Sequence, residues 1–218
     1  MTPLTVAAFR QALAAGQRNF ADCAIAGGGL EGADLADVAL DNCQFTDVAF
    51  TSAVLTEGRW SKCQAQSCDF TAVEADSAAF VNCNLANSIW RGARLGQARF
   101  ADCKLTGASF ADIRSFDVGF ERCLLVSAFL RKMSFRKQTL LGLDFSDADL
   151  GGADFRDAMF DGCSLRGAAL GQATFKGADL RGCDLGQIGL KDAPTFRGAV
   201  ISPRQASELM SGFGLTVR

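Results

Sequence analysis

The 218-residue chain contains no histidine, no tyrosine and only 3 prolines. Lacking histidine, it lacks the commonest general base and the commonest nitrogen ligand for metals. No apolar run approaches the length of a membrane-spanning helix, and no basic segment followed by an apolar stretch opens the chain. A cytoplasmic protein with no membrane partner is therefore expected. The formal charge of −2 singles out no polyanion partner. Against these absences stand 23 glycines, 18 phenylalanines and 9 cysteines. An odd cysteine count without a secretory leader points to free thiols in a reducing compartment.

A period of five residues dominates what is present. Of the 35 positions divisible by five from Phe20 to Leu190, 34 are apolar and 29 are Leu or Phe; Ser115 is the exception. The residue two before each centre is Ala, Cys, Gly, Val or Ser at 29 of 34 positions. The other three places in each quintet are mostly polar. Neither the 3.6-residue helical period nor the two-residue strand period accounts for this. A chain that turns a corner every five residues does, with centre and small residues pointing inward.

The cysteines count the corners. Cys23, Cys43, Cys63, Cys83, Cys103 and Cys123 lie 20 apart, Leu143 interrupts, Cys163 and Cys183 resume, and Cys68 sits on another wall. Four quintets per coil place residues 20 apart above one another at the inter-strand spacing of about 4.8 Å. The implied fold is an all-β solenoid of about nine coils over residues 19–200. The cysteine column reads as small packed hydrophobes, not a redox or metal site: it has no CxxC spacing and alternates with Ala and Val. No metal or cofactor is expected.

Solenoid ends need closing. Residues 3–15 read as an N-terminal capping helix within a segment 1–18, with Thr2 as N-cap and Gly16 as stop. Residues 201–218 read as a helix and short strand. Ser202, Pro203 and Gln205 form a capping box, Ala206, Leu209, Met210 and Phe213 an apolar stripe, and Leu215 to Val217 the strand. This segment is expected to serve as a lid or a dimer contact.

The quintets AlaAspLeu at 33–35, 148–150 and 178–180, and AlaAspPhe at 153–155, carry the signature of the pentapeptide-repeat family, which the chain resembles over residues 19–200. That resemblance implies a right-handed quadrilateral β-helix. The tail, IleSerProArgGlnAlaSerGluLeuMet followed by GlyLeuThrVal, resembles the topoisomerase-protecting subgroup, which includes quinolone-, fluoroquinolone- and albicidin-resistance proteins. By position it implies a homodimer through Gln205, Ala206, Leu209, Met210, Phe213 and Leu215. It also implies a DNA-mimicking surface that engages DNA gyrase or topoisomerase IV and binds no nucleic acid directly.

Charge runs in bands. From Asp22 to Glu57 there are seven acidic residues and no basic ones, and from Asp144 to Asp161 six acidic and one basic. The expected mimic surface is Asp22, Glu31, Asp34, Asp37, Asp41, Asp47, Asp144, Asp147, Asp149, Asp154, Asp157 and Asp161. Between the bands, the small-residue rule fails at Ile113, Met133, Gln138 and Leu143. Phe116, Leu124 and Phe129 occupy outward positions there, beside Arg131, Lys132, Arg136 and Lys137. Local rules tend to break where function intervenes, so this stretch is the alternative partner patch, that of an interaction scaffold or effector. No Ser/His/Asp or Cys/His set and no phosphate loop is present, so no enzymatic activity and no catalytic residue is expected.

Overall fold

The computed structural model describes residues 1–115, 117–212 and 214–216, with the backbone alone at position 190. Two compact units divide the chain, Met1–Leu124 and Leu125–Arg218. Both have the quadrilateral parallel β-helix architecture expected from the quintets, and together they carry about nine coils.

In the first unit, strand β1 (Thr2–Leu4) precedes helix α1 (Val6–Ala14), and β2 (Asn19–Ala21), β3 (Cys23–Gly29), β4 (Ala39–Asp41) and β5 (Gln44–Ala49) follow. Then come β6 (Arg59–Ser61), β7 (Ala79–Val81), β8 (Arg99–Ala101) and β9 (Gly119–Glu121). β2, β4, β6, β7, β8 and β9 pair in parallel with partners 20 residues apart, as Leu40 with Trp60 and Phe80 with Phe100. Isolated bridges at the same offset, such as Glu74 with Arg94, build the other walls.

Each corner bends at the second residue after a centre. There the backbone is left-handed, as at Asp37 (φ 58) and Asn42 (φ 50), which explains the Asp, Asn, Gly and Ser enrichment at those places. Inside, rings stack coil on coil: Phe50 on Phe70 at 4.8 Å and Phe70 on Trp90 at 4.2 Å, both nearly parallel.

The two tryptophans differ. The Trp90 indole donates to Ser88 Oγ at 2.7 Å, and Ser88 donates to Leu85 O. A buried serine in a small slot is thus the acceptor that a wide polar ring needs. Gly58 holds the equivalent slot before Trp60, whose Nε1 has no partner among the described residues.

The cysteines, all free, have a role beyond volume. At most corners the small residue's N–H closes a turn onto the preceding centre, as Ala53 N to Phe50 O at 2.8 Å. After Leu40, Trp60, Phe80 and Phe100 no such bond forms among the described residues. The corner after Leu140 shows what replaces it: Leu143 N–H donates to the sulfur of Cys163, one coil on, at 3.4 Å. Seven of the thiols, all but Cys23 and Cys183, lie within donor reach of a carbonyl below, as Cys103 Sγ to Phe80 O at 3.3 Å. Cys68 Sγ likewise reaches Phe45 O at 3.8 Å on its own wall. The 20-residue grid therefore marks corners whose backbone lacks its turn bond.

The N-terminal cap departs from expectation. The N-cap is Thr5, whose Oγ1 accepts from Ala8 N at 3.1 Å, not Thr2. Thr2–Leu4 is instead extended and adds a strand to β3, because the first coil otherwise presents unpaired backbone. Phe9 and Leu13 of α1 are buried over the coil. The Arg10 guanidinium donates to Gly29 O and Glu31 O, covering carbonyls no strand reaches.

In the second unit, β10 (Thr139–Leu141), β11 (Met159–Ser164) and β12 (Asp179–Asp184) pair in parallel, followed by a 3-10 helix (Leu190–Phe196) and α2 (Pro203–Gly212). Phe135, Phe155, Phe175 and Phe196 stack at 4.7–4.9 Å. The last step is 21 residues: Asp179 bridges Val200, where the other isolated bridges span 20. The five-residue register, unbroken in the sequence to Leu190, is lost in the 3-10 turn. Phe196 restores the stack one place late.

The capping box forms as expected, with Ser202 N to Gln205 Oε1 at 2.7 Å and Gln205 N to Ser202 Oγ at 3.2 Å. The expected strand does not start: Leu215 and Thr216 are irregular after Gly214 (φ 77), and Val217 lies outside the described residues. Leu215 N is tied back to Met210 O at 3.0 Å, which closes the helix end.

Candidate functional site

Only outward positions are free to recognise anything, because the centre and small slots are filled. All six acidic residues expected in the first band are exposed, and four acids share one wall's two edges. Asp37 and Glu57 stack on the corner before β2, β4 and β6, through Asp37 N to Thr56 O at 3.0 Å. Asp22 and Asp41 meet on the corner after it, through Asp22 N to Asp41 O at 3.0 Å. Asp22 also accepts from Asn42 Nδ2 at 2.5 Å. Among the described residues none of these four has an ion pair, and neither has Asp47. Glu31 and Asp34 face Arg10 and Arg18 only at 4.0 and 3.9 Å. Arg59 and Lys62 end the acidic stretch of that wall.

The second acidic band behaves otherwise. Asp149 is held by Arg131 at 3.2 Å, Asp157 faces Arg136 at 3.9 Å, and Asp154 is bidentate with Arg156 at 2.6 and 2.9 Å. The Arg156 bond holds the Asp154 carboxyl below the usual carboxylate range. Asp144 is half-buried and caps the Ser146 N–H at 2.9 Å. Only Asp147 and Asp161 are left exposed with no ion pair among the described residues. The coil explains two of the three pairs: residues 131–137 lie one turn below 149–157, so basic and acidic bands adjacent in sequence interleave in space.

The expected partner patch divides between the units. Phe116 lies outside the described residues. Leu124, in the first unit, is 47% exposed. In the second unit Phe129 is 52% exposed, and Arg131, Lys132, Arg136 and Lys137 are exposed around two corners. Met133 and Leu143 are buried, so these oversized small-slot residues are accommodated inward.

Of the tail residues, Gln205 is committed within its own chain. Its Nε2 donates to Leu180 O and Cys183 O, both at 2.7 Å, capping the last coil. Sequence reasoning saw its capping-box half and set it at a dimer interface, but not this cap. Ala206, Leu209 and Met210 are half-buried, and the last two line an apolar cleft with Leu185, Ile188, Phe196 and Ile201. Leu215 is 57% exposed, and Phe213 lies outside the described residues. Among the described residues no group of three His, Cys, Asp or Glu is placed to hold a metal, and no helix is long and apolar enough to cross a membrane.

The sequence matches the pentapeptide repeat region over residues 43–115 and the pentapeptide repeats (8 copies) over residues 120–187, together well over half of the chain. The chain belongs to the pentapeptide repeat family. Among solved structures it is similar to full-length QnrB1, a plasmid-mediated fluoroquinolone resistance protein. The TM-score is 0.60 at 19% identity, covering 90% of this chain and all of QnrB1. A trypsin-treated QnrB1 variant gives a TM-score of 0.57 at 24% identity, covering 92% and 99%. At these identities the likeness is one of fold. No curated protein matches.

Proposed function

We propose that the protein acts without catalysis, by presenting a preformed surface to another protein. The partner of the acidic wall is the basic DNA-binding saddle of DNA gyrase or topoisomerase IV. Binding there relieves or modulates topoisomerase poisons. One observation carries this reading: Asp22, Asp37, Asp41 and Glu57 flank a single wall with no cation paired to them among the described residues. A rigid row of carboxylates offers a basic groove what duplex phosphates offer, at little ordering cost. The fold shared with QnrB1, named for fluoroquinolone resistance, supports the choice of enzyme.

The experiment is titration of the purified protein into gyrase supercoiling and poison-induced cleavage assays. A fall in poison-stabilised cleavage at up to equimolar protein is expected, and unchanged cleavage with both enzymes contradicts the proposal. The protein is further proposed to be a cytoplasmic homodimer through its tail. Because Leu209 and Met210 line a cleft of their own chain, Leu215→Asp is the cleaner test. Light scattering is expected to show a dimer for the parent and a folded monomer for the variant. A monomeric parent contradicts it.

A second reading, the interaction scaffold, is favoured by the exposure of Phe129 beside Arg131 and Lys132 in the second unit. It requires Phe129→Asp, and not Asp37→Lys, to abolish partner capture.

A further inference from the structure

The chain has two tryptophans, and the small slot two before each is out of the ordinary. Between Ala33 and Cys183 glycine takes that slot once, before Trp60, and serine once, before Trp90. Ser88 shows what the indole requires there: its Oγ accepts from Trp90 Nε1 at 2.7 Å and donates to Leu85 O at 2.7 Å. Trp60 is equally buried, at 1% exposure, and its Nε1 has no partner among the described residues.

Backbone strain does not account for Gly58, which is absent from the left-handed positions. The atoms around it do. A Cβ at 58 would stand 2.9 Å from Leu55 O, 3.5 Å from Val38 O and 3.6 Å from Trp60 Nε1. Three polar atoms thus converge on the space a side chain at 58 would take. Leu55 O already accepts from Gly58 N at 2.9 Å, and Val38 O from Arg59 N at 2.9 Å. Each carbonyl keeps one lone pair, and the indole N–H is a donor only.

We infer that Gly58 makes room for one tightly held water molecule, which accepts from Trp60 Nε1 and donates to Leu55 O and Val38 O. Two donors and an acceptor match those three atoms, and about three hydrogen bonds is the usual complement of a buried water. Other occupants fit worse. An apolar group leaves all three atoms unpaired, a cation meets the indole N–H, and an anion meets two carbonyl oxygens. The water does for Trp60 what the Ser88 hydroxyl does for Trp90. It also joins two coils, because Val38 lies one turn below Leu55 and Trp60. Val38 follows Asp37 and Gly58 follows Glu57, so this bridge lies beneath the corner on which those two acids stack. The inference is independent of what the acidic wall binds.

The test uses the full chain with nitrogen-15 tryptophan, the two indole signals being assigned with Trp60→Phe. The parent is expected to show a nuclear Overhauser cross-peak between Trp60 Nε1–H and water, with the opposite sign in the rotating frame, which separates a bound water from proton exchange. Gly58→Ala places a methyl group there and should abolish it. Gly58→Ser supplies the hydroxyl, so its unfolding equilibrium constant is expected to be at least tenfold smaller than that of Gly58→Ala. Both variants carry the same Cβ, so its crowding against Leu55 O cancels. Absence of the cross-peak in the parent overturns the inference, whether or not the variants fold. So does its persistence in Gly58→Ala, or equal stability of the two variants.

Discussion

The stretches Asp22–Glu57 and Asp144–Asp161 look alike in sequence and differ in space. In the first, the residues one turn away are mostly neutral, and Asp22, Asp37, Asp41 and Glu57 keep their charge on one wall. In the second, a basic stretch lies one turn below, and Arg131, Arg136 and Arg156 engage Asp149, Asp157 and Asp154. In a solenoid, the charge a partner meets is set by residues about 20 apart, as for Asp149 and Asp157, as well as by neighbours in the chain, as for Asp154 and Arg156. The N-terminal coils present an anionic surface; the second unit presents a mixed one.

The two units differ also in thiols, and that gives the largest expected effect. The first unit holds seven of the nine cysteines. Burial pushes the Cys68 thiol up to about 11. At Cys103 a hydrogen bond from Cys123 lowers the value, but the bond with Cys83 and burial outweigh it and push it up to about 12. A thiol whose folded value is raised favours folding fully below its unfolded value, and that contribution is lost as pH rises toward the folded value. At pH 10 the loss is on the order of 2 kcal/mol for each of these two thiols. Under reductant, limited proteolysis at pH 10 is expected to cut within 40–124 before 145–185. Equal resistance of the two stretches would break the contrast.

A smaller effect sharpens the account of the aromatic core within the first unit. Ser88→Ala leaves the Trp90 indole N–H buried and unpaired, at about 1–3 kcal/mol. Trp60→Phe removes an N–H that has no partner among the described residues and should lose packing but no hydrogen bond to them. Chemical denaturation of both variants checks the order. A larger loss from removing the Trp60 N–H than from Ser88→Ala contradicts it.

Smallest is the effect of Arg131→Ala. Arg131 is 59% exposed on its side chain, so breaking its pair with Asp149 changes stability by less than about 1 kcal/mol. Its use lies elsewhere: it uncovers a carboxylate in the second unit. Binding to a cationic column should strengthen in that variant, and no change would mean that Asp149 is already unmasked.

Much of this was legible in the sequence. Leu and Phe at every fifth place, with small residues two before, leave no other economical fold, and the cysteine spacing gives the coil length. Three features were hidden. Thr2–Leu4 reads as helix because Pro3 suits a first turn, but the unpaired first coil draws it into a strand. The late register break shows only as Phe196 one place off the grid after Pro194. The neutralisation of Asp149, Asp154 and Asp157 arises partly between coils, and becomes visible when the sequence is written in rows of 20.

The measurement that tests the central claim most directly pairs two charge reversals in the gyrase assay. Asp37→Lys with Glu57→Lys alters the open acidic wall; Asp149→Lys with Asp157→Lys alters acids already engaged by arginines. The account predicts that the first pair weakens protection at least tenfold, about 1.4 kcal/mol, and that the second leaves it within a factor of two. Equal loss from both, or loss only from the second, would contradict it.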